Sequence, residues 1–220
     1  MSNDVVYDDV VTTPAAGRRE RKNAQTRRAL REAALRLFLE RGYDQVSVKE
    51  IADAADISVP TLFNHVPDGK EALMFDDGAE RHESLLAAVR ERPAGQSVMA
   101  ALRQFMSGRG PFVADPTPEF RRRTELIQST PALRDYSRTL WIRCENDLAA
   151  AIAAEIGRPP DDMTARAAAR YVLEIPQFAG AEPDPAAALN AIFDLLEHGL
   201  PTTPDRPRGS APAGLQPGQP

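Results

Sequence analysis

The residues of this chain that could do chemistry are concentrated in its first third, and they favour recognition of an anion. The segment 18–41 holds nine arginine and lysine residues against three glutamates, a formal charge of +6, in a chain whose net charge is −5. An isolated run of this kind is more often a solvated helix face. Its position directly before the motif described next favours the alternative, a basic surface for a polyanion such as a nucleic acid.

Two short helices joined by a tight corner are predicted in SVKEIADAADISVPTLFNHV, residues 47–66. Ser47 and Glu50 form the Ser-x-x-Glu pattern of a capping box, so each can satisfy an unpaired backbone N–H at a helix start. Asp56 follows the last apolar position and is of a residue type that tolerates a left-handed corner. Ser58 can then cap a second short helix. The stretch is a helix-turn-helix candidate.

Longer helices must position these residues. The basic segment lies on a helix predicted from Asn23 to Arg41, with Gly42 placed to end it. Its buried stripe is Leu30, Ala33, Ala34, Leu37 and Phe38. Another helix is predicted from Lys70 to Arg92, before the break Pro93-Ala94-Gly95.

The chain beyond this break is predicted to be helical, with no strand pattern. One helix starts at Thr130-Pro131 with an apolar stripe from Leu133 to Glu155, and Pro176 kinks or ends the next one. Helix starts are also predicted at Ser97 and Asp184, and capping residues at Thr117, Thr130 and Asp161 or Asp162. The sequence therefore predicts an all-α fold of eight to ten helices.

We divide the chain into four parts. These are a disordered arm (residues 1–20), a helix-turn-helix unit (21–68), a helical domain (69–200) and a disordered tail (201–220). The two disordered predictions rest on polar, proline- and glycine-containing sequence without periodicity.

Composition argues against several classes of protein. The single cysteine, Cys144, excludes an intramolecular disulfide and a cysteine zinc cluster. The sequence contains no run of eighteen or more apolar residues, the length that would span a membrane. Its N-terminus lacks the basic-then-apolar order of a signal peptide. We therefore expect a cytoplasmic protein with no membrane partner.

No catalytic site, cofactor or metal is predicted. The sequence shows no nucleophile with a base partner, no phosphate-binding glycine loop and no paired inward carboxylates. His82 and His198 stand singly, without the spacing of metal ligands.

These features resemble the TetR family of transcriptional repressors. The resemblance covers residues 24–75, which contain a capped helix of about 19 residues, the helix-turn-helix and a helix opening Lys70-Glu71-Ala72-Leu73. Within the motif it is carried by Ser47, Ile51, Ala52, Ala55, Ile57, Ser58, Thr61, Leu62, Phe63 and His65. The rest of the chain matches the family's ligand-binding portion in length and helix count.

The resemblance implies an all-α homodimer that binds double-stranded DNA at a near-palindromic operator and is released by a ligand. It implies phosphate contacts for Ser47, His65 and Lys70, and base contacts from the exposed first turn of the recognition helix. The full set of predicted DNA-binding residues is Arg27, Arg28, Ser47, Ser58, Val59, Pro60, Thr61, Phe63, His65 and Lys70.

Two departures from the family pattern leave alternatives open. Phe63 stands where a tyrosine hydroxyl often reaches a phosphate, so it lies in the core or makes only a van der Waals contact. Pro60 disfavours a helical conformation at the preceding residue, so the recognition helix starts at either Val59 or Pro60.

Apolar residues of the second half give the predicted ligand and dimer sites. Candidates for a cavity that binds a small, largely apolar effector are Phe105, Met106, Trp141, Cys144, Tyr171 and Phe178. Cys144 is alternatively a small buried hydrophobe. The last helix presents a broad apolar face, and its predicted dimer contacts are Leu189, Ile192, Phe193 and Leu196.

Two other functions compete with a ligand-released repressor. A DNA-binding module controlled by a partner protein would be favoured by a fully packed C-terminal half. An all-α enzyme, with a coincidental helix-turn-helix pattern, would show turnover that depends on residues 97–180.

Overall fold

The computed structural model describes residues 14–76 and 78–200, and every regular element in these ranges is helical. The ten α-helices are α1 (Pro14–Arg41), α2 (Val48–Ala54), α3 (Val59–His65), α4 (Ala79–Arg90), α5 (Val98–Ser107), α6 (Pro118–Ser129), α7 (Pro131–Ile142), α8 (Glu145–Glu155), α9 (Met163–Ala179) and α10 (Pro185–His198). Two 3₁₀ helices cover Lys70–Met74 and Gly110–Phe112. The predicted all-α fold is confirmed. None of the described helices is long and apolar enough to cross a membrane.

The first helix begins earlier than its sequence pattern indicates. It starts at Pro14, nine residues before Asn23, so residues 14–20 of the predicted arm are helical. The apolar stripe that predicted the helix begins only at Leu30, and the turns before it carry no such signal. The remainder of the arm and the predicted tail 201–220 lie outside the described residues.

The single helix predicted from Lys70 to Arg92 is wrong. The 3₁₀ helix Lys70–Met74 stops where Phe75 adopts an extended backbone (φ −121°, ψ 157°). The chain restarts as α4 after Gly78, which is left-handed (φ 78°, ψ 0°). This conformation suits glycine, which has no Cβ to clash.

The helix predicted from Leu133 to Glu155 is also two helices. It breaks at Arg143 and Cys144, where both residues keep right-handed helical angles and the Cys144 N–H donates to the Trp141 carbonyl at 3.0 Å. This tighter bond changes the direction of the chain without leaving helical geometry. The apolar stripe continues across the break, which hides it in the sequence.

Most predicted caps and helix starts are confirmed. The side chains of Ser97, Thr117, Asp162 and Asp184 each accept a hydrogen bond from a backbone N–H three residues later. Thr130 starts α7 without such a side-chain bond, contrary to the expectation. Pro176 does not end α9, which runs three residues further.

Two hydrophobic clusters organise the packing. The head cluster is Leu30, Ala34, Phe38, Tyr43, Val46, Ile51, Ala52, Leu62, Val66, Leu73, Met74, Phe75, Leu133 and Leu140. The bundle cluster is Leu85, Leu86, Val89, Val98, Leu102, Phe105, Met106, Phe112, Trp141, Cys144, Leu148, Ala149, Ala151, Ile152, Ala153, Ala165, Ala169, Val172, Leu173, Ile175, Ala179, Leu189 and Phe193. The head cluster includes two leucines of α7, so α1–α3 do not bury their apolar faces alone.

Candidate nucleic-acid interface and internal cavity

The start of α2 is fixed by the predicted capping box. The Ser47 N–H donates to Glu50 Oε2 at 2.8 Å, and the Glu50 N–H donates to Ser47 Oγ at 3.2 Å. Arg41 Nη1 lies 2.8 Å from the other Glu50 oxygen. The Ser47 N–H, the Ser47 hydroxyl and Arg41 together lower the pKa of Glu50 to about 2. The exposed start of α2 is thus tied to the end of α1.

The corner between α2 and α3 has the predicted left-handed geometry. Asp56 has φ 55°, and among the described residues it is the only non-glycine residue with positive φ. The Ile57 N–H then donates to the Ala52 carbonyl at 3.0 Å, and the Ile57 side chain packs partly buried against the head cluster. This contact sets the direction in which α3 leaves the corner.

The recognition helix α3 begins at Val59, with Pro60 at its second position. Ser58 caps it by accepting the Thr61 N–H at 3.3 Å, and the fully buried Leu62 anchors it in the head cluster. Of the two predicted starts of the recognition helix, Val59 and Pro60, the structure has Val59. Proline fits here because a first-turn N–H has no partner within the helix.

The outer face of α3 carries Pro60, Phe63 and Asn64, all exposed. Phe63 is 46% exposed, so the core alternative for this residue is wrong. Sequence reasoning missed Asn64, although its spacing of four from Pro60 places it on the same helix face. An exposed asparagine can bond bidentately to adenine in a major groove.

Two predicted contacts are less free than expected. The Thr61 hydroxyl lies 2.8 Å from the Ser58 hydroxyl, so the two already share a hydrogen bond. Arg28 pairs with Glu32 at 2.7 Å on the open surface of α1. Both interactions lie on the exposed surface, so breaking either one to bind another partner costs little free energy.

Arg27 and His65 lie together. Both line a shallow groove of about 140 Å³ between α1 and the end of α3, and Arg31 lies in the same wall. Sequence reasoning gave the two residues separate roles, and the fold places them side by side. The same groove is also lined by Asp68 and Asp76, so a phosphate group would be met by the arginines and the histidine but not by the whole groove.

Lys70 occupies a different environment from the expected one. Its ammonium donates to the carbonyl oxygens of Tyr43 and Val46, each at 3.0 Å, and lies 4.0 Å from the centre of the Tyr43 ring. An ammonium has three N–H donors, so these bonds leave one. Lys70 thus ties the 3₁₀ helix to the α1–α2 connection. The Tyr43 hydroxyl donates to the neighbouring Glu71.

A half-open cavity of about 300 Å³ lies between α4, α6 and α7. Two of the residues predicted to bind a ligand, Met106 and Trp141, line it. Side chains that were not predicted also line it, including Phe75, Phe112, Ile127, Arg81 and Arg109. The arginines gave no sequence signal, because charged residues are normally exposed to solvent.

The other predicted cavity residues lie elsewhere. Phe105 and Cys144 are buried in the bundle cluster outside the cavity lining. Burial raises the pKa of the Cys144 thiol, as expected for a small hydrophobe. Tyr171 and Phe178 are 57% and 62% exposed on the outer side of α9. Helical spacing identifies an apolar position but not the surface that covers it.

The predicted dimer contacts are also corrected. Leu189 and Phe193 are buried in the bundle cluster of their own chain, and Ile192 and Leu196 pack partly buried against it. The exposed large apolar residues of the last two helices are Met163, Tyr171, Phe178 and Leu195, and Ala186, Ala187 and Ala191 are exposed as well.

Comparison with known proteins agrees with this architecture. The family model for bacterial regulatory proteins of the tetR family matches residues 30–76, and the model for the MftR C-terminal domain matches residues 96–201. The HTH-type transcriptional regulator TcmR of Streptomyces glaucescens is 36% identical over 91 residues. That match covers 41% of this chain and only 40% of the length of TcmR.

Two further matches span nearly whole chains. The putative mycofactocin biosynthesis transcriptional regulator MftR of Mycobacterium tuberculosis (strain ATCC 25618 / H37Rv) is 26% identical over 193 residues, 85% of this chain and 97% of MftR. GusR of Salmonella enterica shares the fold, with a TM-score of 0.50 and 22% identity over 86% of this chain and 98% of GusR. With its helix-turn-helix, its helical second half and these matches, the chain belongs to the TetR family and is a DNA-binding transcriptional regulator.

Proposed function

We propose that this protein is a homodimeric repressor that binds a near-palindromic operator and is released from it by a small, largely apolar effector. The observation that carries the proposal is the position of the cavity between the two clusters. Phe75 of the head cluster and Ile127, which packs against that cluster, line one side. Met106, Phe112 and Trp141 of the bundle cluster line the other.

The cavity is mechanically connected to the helix-turn-helix through α6 and α7. Arg123 of α6 donates to the Met74 carbonyl, and Tyr136 of α7 donates to Asp68 Oδ2 at 3.1 Å. These bonds hold both ends of the segment that follows α3. A ligand that separates α6 and α7 would therefore displace this segment and the recognition helix with it. Ligand and operator then favour different positions of the same element.

Bound to DNA, α3 would enter the major groove with Pro60, Phe63 and Asn64 toward the bases. Ser47 at the start of α2 and the groove of Arg27 and His65 would meet the phosphates on either side. The exposed basic residues of α1 add an attraction that does not depend on sequence. The charge and exposure of these residues support this arrangement.

A homodimer would use the outer faces of α9 and α10. Tyr171, Phe178 and Leu195 are large apolar side chains left exposed there, and the small Ala187 and Ala191 permit close helix approach. A symmetric pair places two recognition helices one helical turn of DNA apart, about 34–36 Å. Tyr171→Glu should produce monomers in solution, measured by light scattering, and weaken operator binding.

The first test is binding of the purified protein to its own upstream DNA and to random duplex at about 150 mM salt. Because MftR is named as a putative regulator of mycofactocin biosynthesis, promoters of any such genes nearby are the second set. We expect a protected site with two-fold symmetry in a footprint. Equal affinity for all duplexes would contradict the proposal. A double change, Phe63→Ala with Asn64→Ala, should remove the preference, whereas Glu91→Ala, at an exposed position directly after α4, is a control that should leave it unchanged.

A further inference from the structure

Two arginines lie in the wall of the cavity without a full set of partners. Arg81, on α4, has a side chain only 17% exposed. Its Nε is buried and has no hydrogen-bond partner. Among the described residues, the closest carboxylate oxygen is Asp76 Oδ1, 3.6 Å from Arg81 Nη1. A buried N–H without a partner is costly, so this group is available to a ligand.

Arg109 follows α5 and lies in the same wall. Its guanidinium carbon is 3.6 Å from the centre of the Phe105 ring, and Nη1 donates to the Phe105 carbonyl at 3.1 Å. Among the described residues, no carboxylate oxygen lies within 4.0 Å of it. Burial lowers the pKa of Arg109, and the charge of Arg81 lowers it further. The two cations therefore repel each other in a partly enclosed space.

The acidic residues of the cavity lie nearer to solvent. Asp76 has a side chain 58% exposed, and its Oδ1 already accepts the Gly78 N–H at 2.9 Å. Glu80 is exposed and raises the pKa of Arg109 less than burial lowers it. These carboxylates balance the formal charge but do not pair closely with the arginines. An anion entering the cavity would meet the guanidinium groups at its inner wall.

Beside these charged residues and the uncharged polar residues Thr124, Gln128 and Ser137, the lining is apolar. Phe75, Met106, Phe112, Ile127 and Trp141 surround the space beside the arginines, and the Arg81 guanidinium lies 5.1 Å from the centre of the Trp141 ring. A neighbouring recess of about 670 Å³ shares Gly110, Pro111, Thr124 and Gln128 with the cavity. A ligand longer than the cavity could extend into this recess.

We propose that the effector carries an oxyanion, a carboxylate or phosphate, on an apolar body, and that Arg81 and Arg109 bind this group. Guanidinium groups present paired N–H donors that match the geometry of carboxylate and phosphate oxygens. The apolar residues select the body of the ligand. This inference rests on the proposed function, because it names the chemical class of the ligand that would release the protein from DNA.

The sequence supplies a reporter at the right place. Trp141 is the single tryptophan of the chain and lines the cavity, so its fluorescence reports on ligands near Arg81. Four probes of eight carbons each differ in the head group: octanoate, octyl phosphate, octanamide and octylamine. Octanoate or octyl phosphate should change the Trp141 emission at a concentration about tenfold or more below the one that octanamide needs. Tighter binding of octylamine would overturn the proposal, because Asp76 and Glu80 would then determine selectivity.

Substitution of the arginines tests their role. Arg81→Gln and Arg109→Gln should each weaken binding of the preferred anion by about tenfold or more and leave octanamide unchanged. Arg90→Gln removes the same charge from the exposed end of α4 and should change neither. Arg81→Gln should lower the melting temperature little, because Nε has no partner and the contacts of the guanidinium with Asp76 and Trp141 are long. If Arg81→Gln fails to fold, Arg109→Lys keeps the charge but not the paired donors. It should likewise weaken binding of the anion and leave binding of octanamide unchanged.

Operator binding separates failure of this inference from failure of the proposed function. If the anionic probes release the protein from its operator and octanamide does not, the ligand-released repressor and the arginine assignment are both supported. If octanamide releases it equally well, the ligand-released repressor stands and the arginine assignment is wrong. If the operator is bound and none of the probes changes either the fluorescence or the binding, the arginine assignment is overturned while DNA binding stands.

Discussion

The helix starts of the DNA-binding head and the ion pairs of the helical bundle act over different distances along the chain. At the starts of α2 and α3, side chains satisfy helix ends three residues away, as in the bonds of Ser47 with Glu50 and of Ser58 with Thr61. In the bundle, Arg138 bonds Glu174 across 36 residues, and Arg103 bonds Glu197 across 94. Local sequence therefore determines where α2 and α3 begin, whereas the arrangement of the bundle helices depends on contacts that only the folded chain creates.

The boundary between the two regions is not where the helix-turn-helix ends. Leu133 and Leu140 of α7 belong to the head cluster, and the residue after Leu140, Trp141, belongs to the bundle cluster. The predicted division at residues 68–69 falls between Val66 and Leu73, which lie in the same cluster. A small three-helix head buries little apolar surface alone, so it takes part of its core from α7.

The largest effect should come from removing this shared core. Leu133→Ala and Leu148→Ala each truncate a fully buried leucine, the first in the head cluster and the second in the bundle cluster. Each should cost about 2–5 kcal/mol of unfolding free energy, measured in urea. Only Leu133→Ala should also speed amide hydrogen exchange in α1 and weaken DNA binding where both variants remain folded. Equal effects of the two on DNA binding would show that the head is not coupled through α7.

A smaller effect is expected at the join between α3 and the bundle. Lys70→Ala leaves the carbonyls of Tyr43 and Val46 without their charged donor, which should cost about 2 kcal/mol of unfolding free energy. Lys49→Ala removes an exposed lysine paired with Asp53 and should change the unfolding free energy far less than Lys70→Ala does. A mainly phosphate-binding Lys70 would instead leave stability unchanged and lower the slope of affinity against salt by about one.

The contribution of Thr61 to base recognition should be smaller again. Its hydroxyl is shared with Ser58, so Thr61→Val should change discrimination at one base pair by about 1 kcal/mol, the lower end for a base contact. The measurement is competition between the operator and single-base variants. A uniform loss of affinity for every sequence would mean that Thr61 supports the helix and reads no base.

The smallest effect concerns pH and the capping box. The pKa of Glu50 is lowered from 4.5 to about 2 in the folded chain, so its charge stabilises the fold above pH 4.5. This stabilisation is lost as the pH falls through about 2. Glu50→Gln should therefore be less stable than the parent near pH 6, and the difference should shrink toward pH 2 in urea titrations. A difference that does not vary with pH would exclude the charge as its source.

Prediction from the sequence succeeded where the determinants were close together. Asp56 at the corner and Ser58 at the start of α3 carried their own conformational preference, and the structure has both as expected. Prediction failed for the breaks at Phe75 and at Cys144, where apolar residues continue through a change of direction. Helical periodicity predicts that one face of a helix is buried, but it does not predict which neighbouring helix buries that face.

By itself, the sequence determined the helices of the head, the basic surface of α1 and the all-α fold, because capping, charge and helical periodicity act over a few residues. Only the tertiary structure decided that Tyr171 and Phe178 face outward while Arg81 and Arg109 line the cavity. It likewise gave Lys70 two backbone partners and α7 a place in both clusters. These outcomes depend on which helices pack against each other, and this packing is determined jointly by residues far apart in the chain.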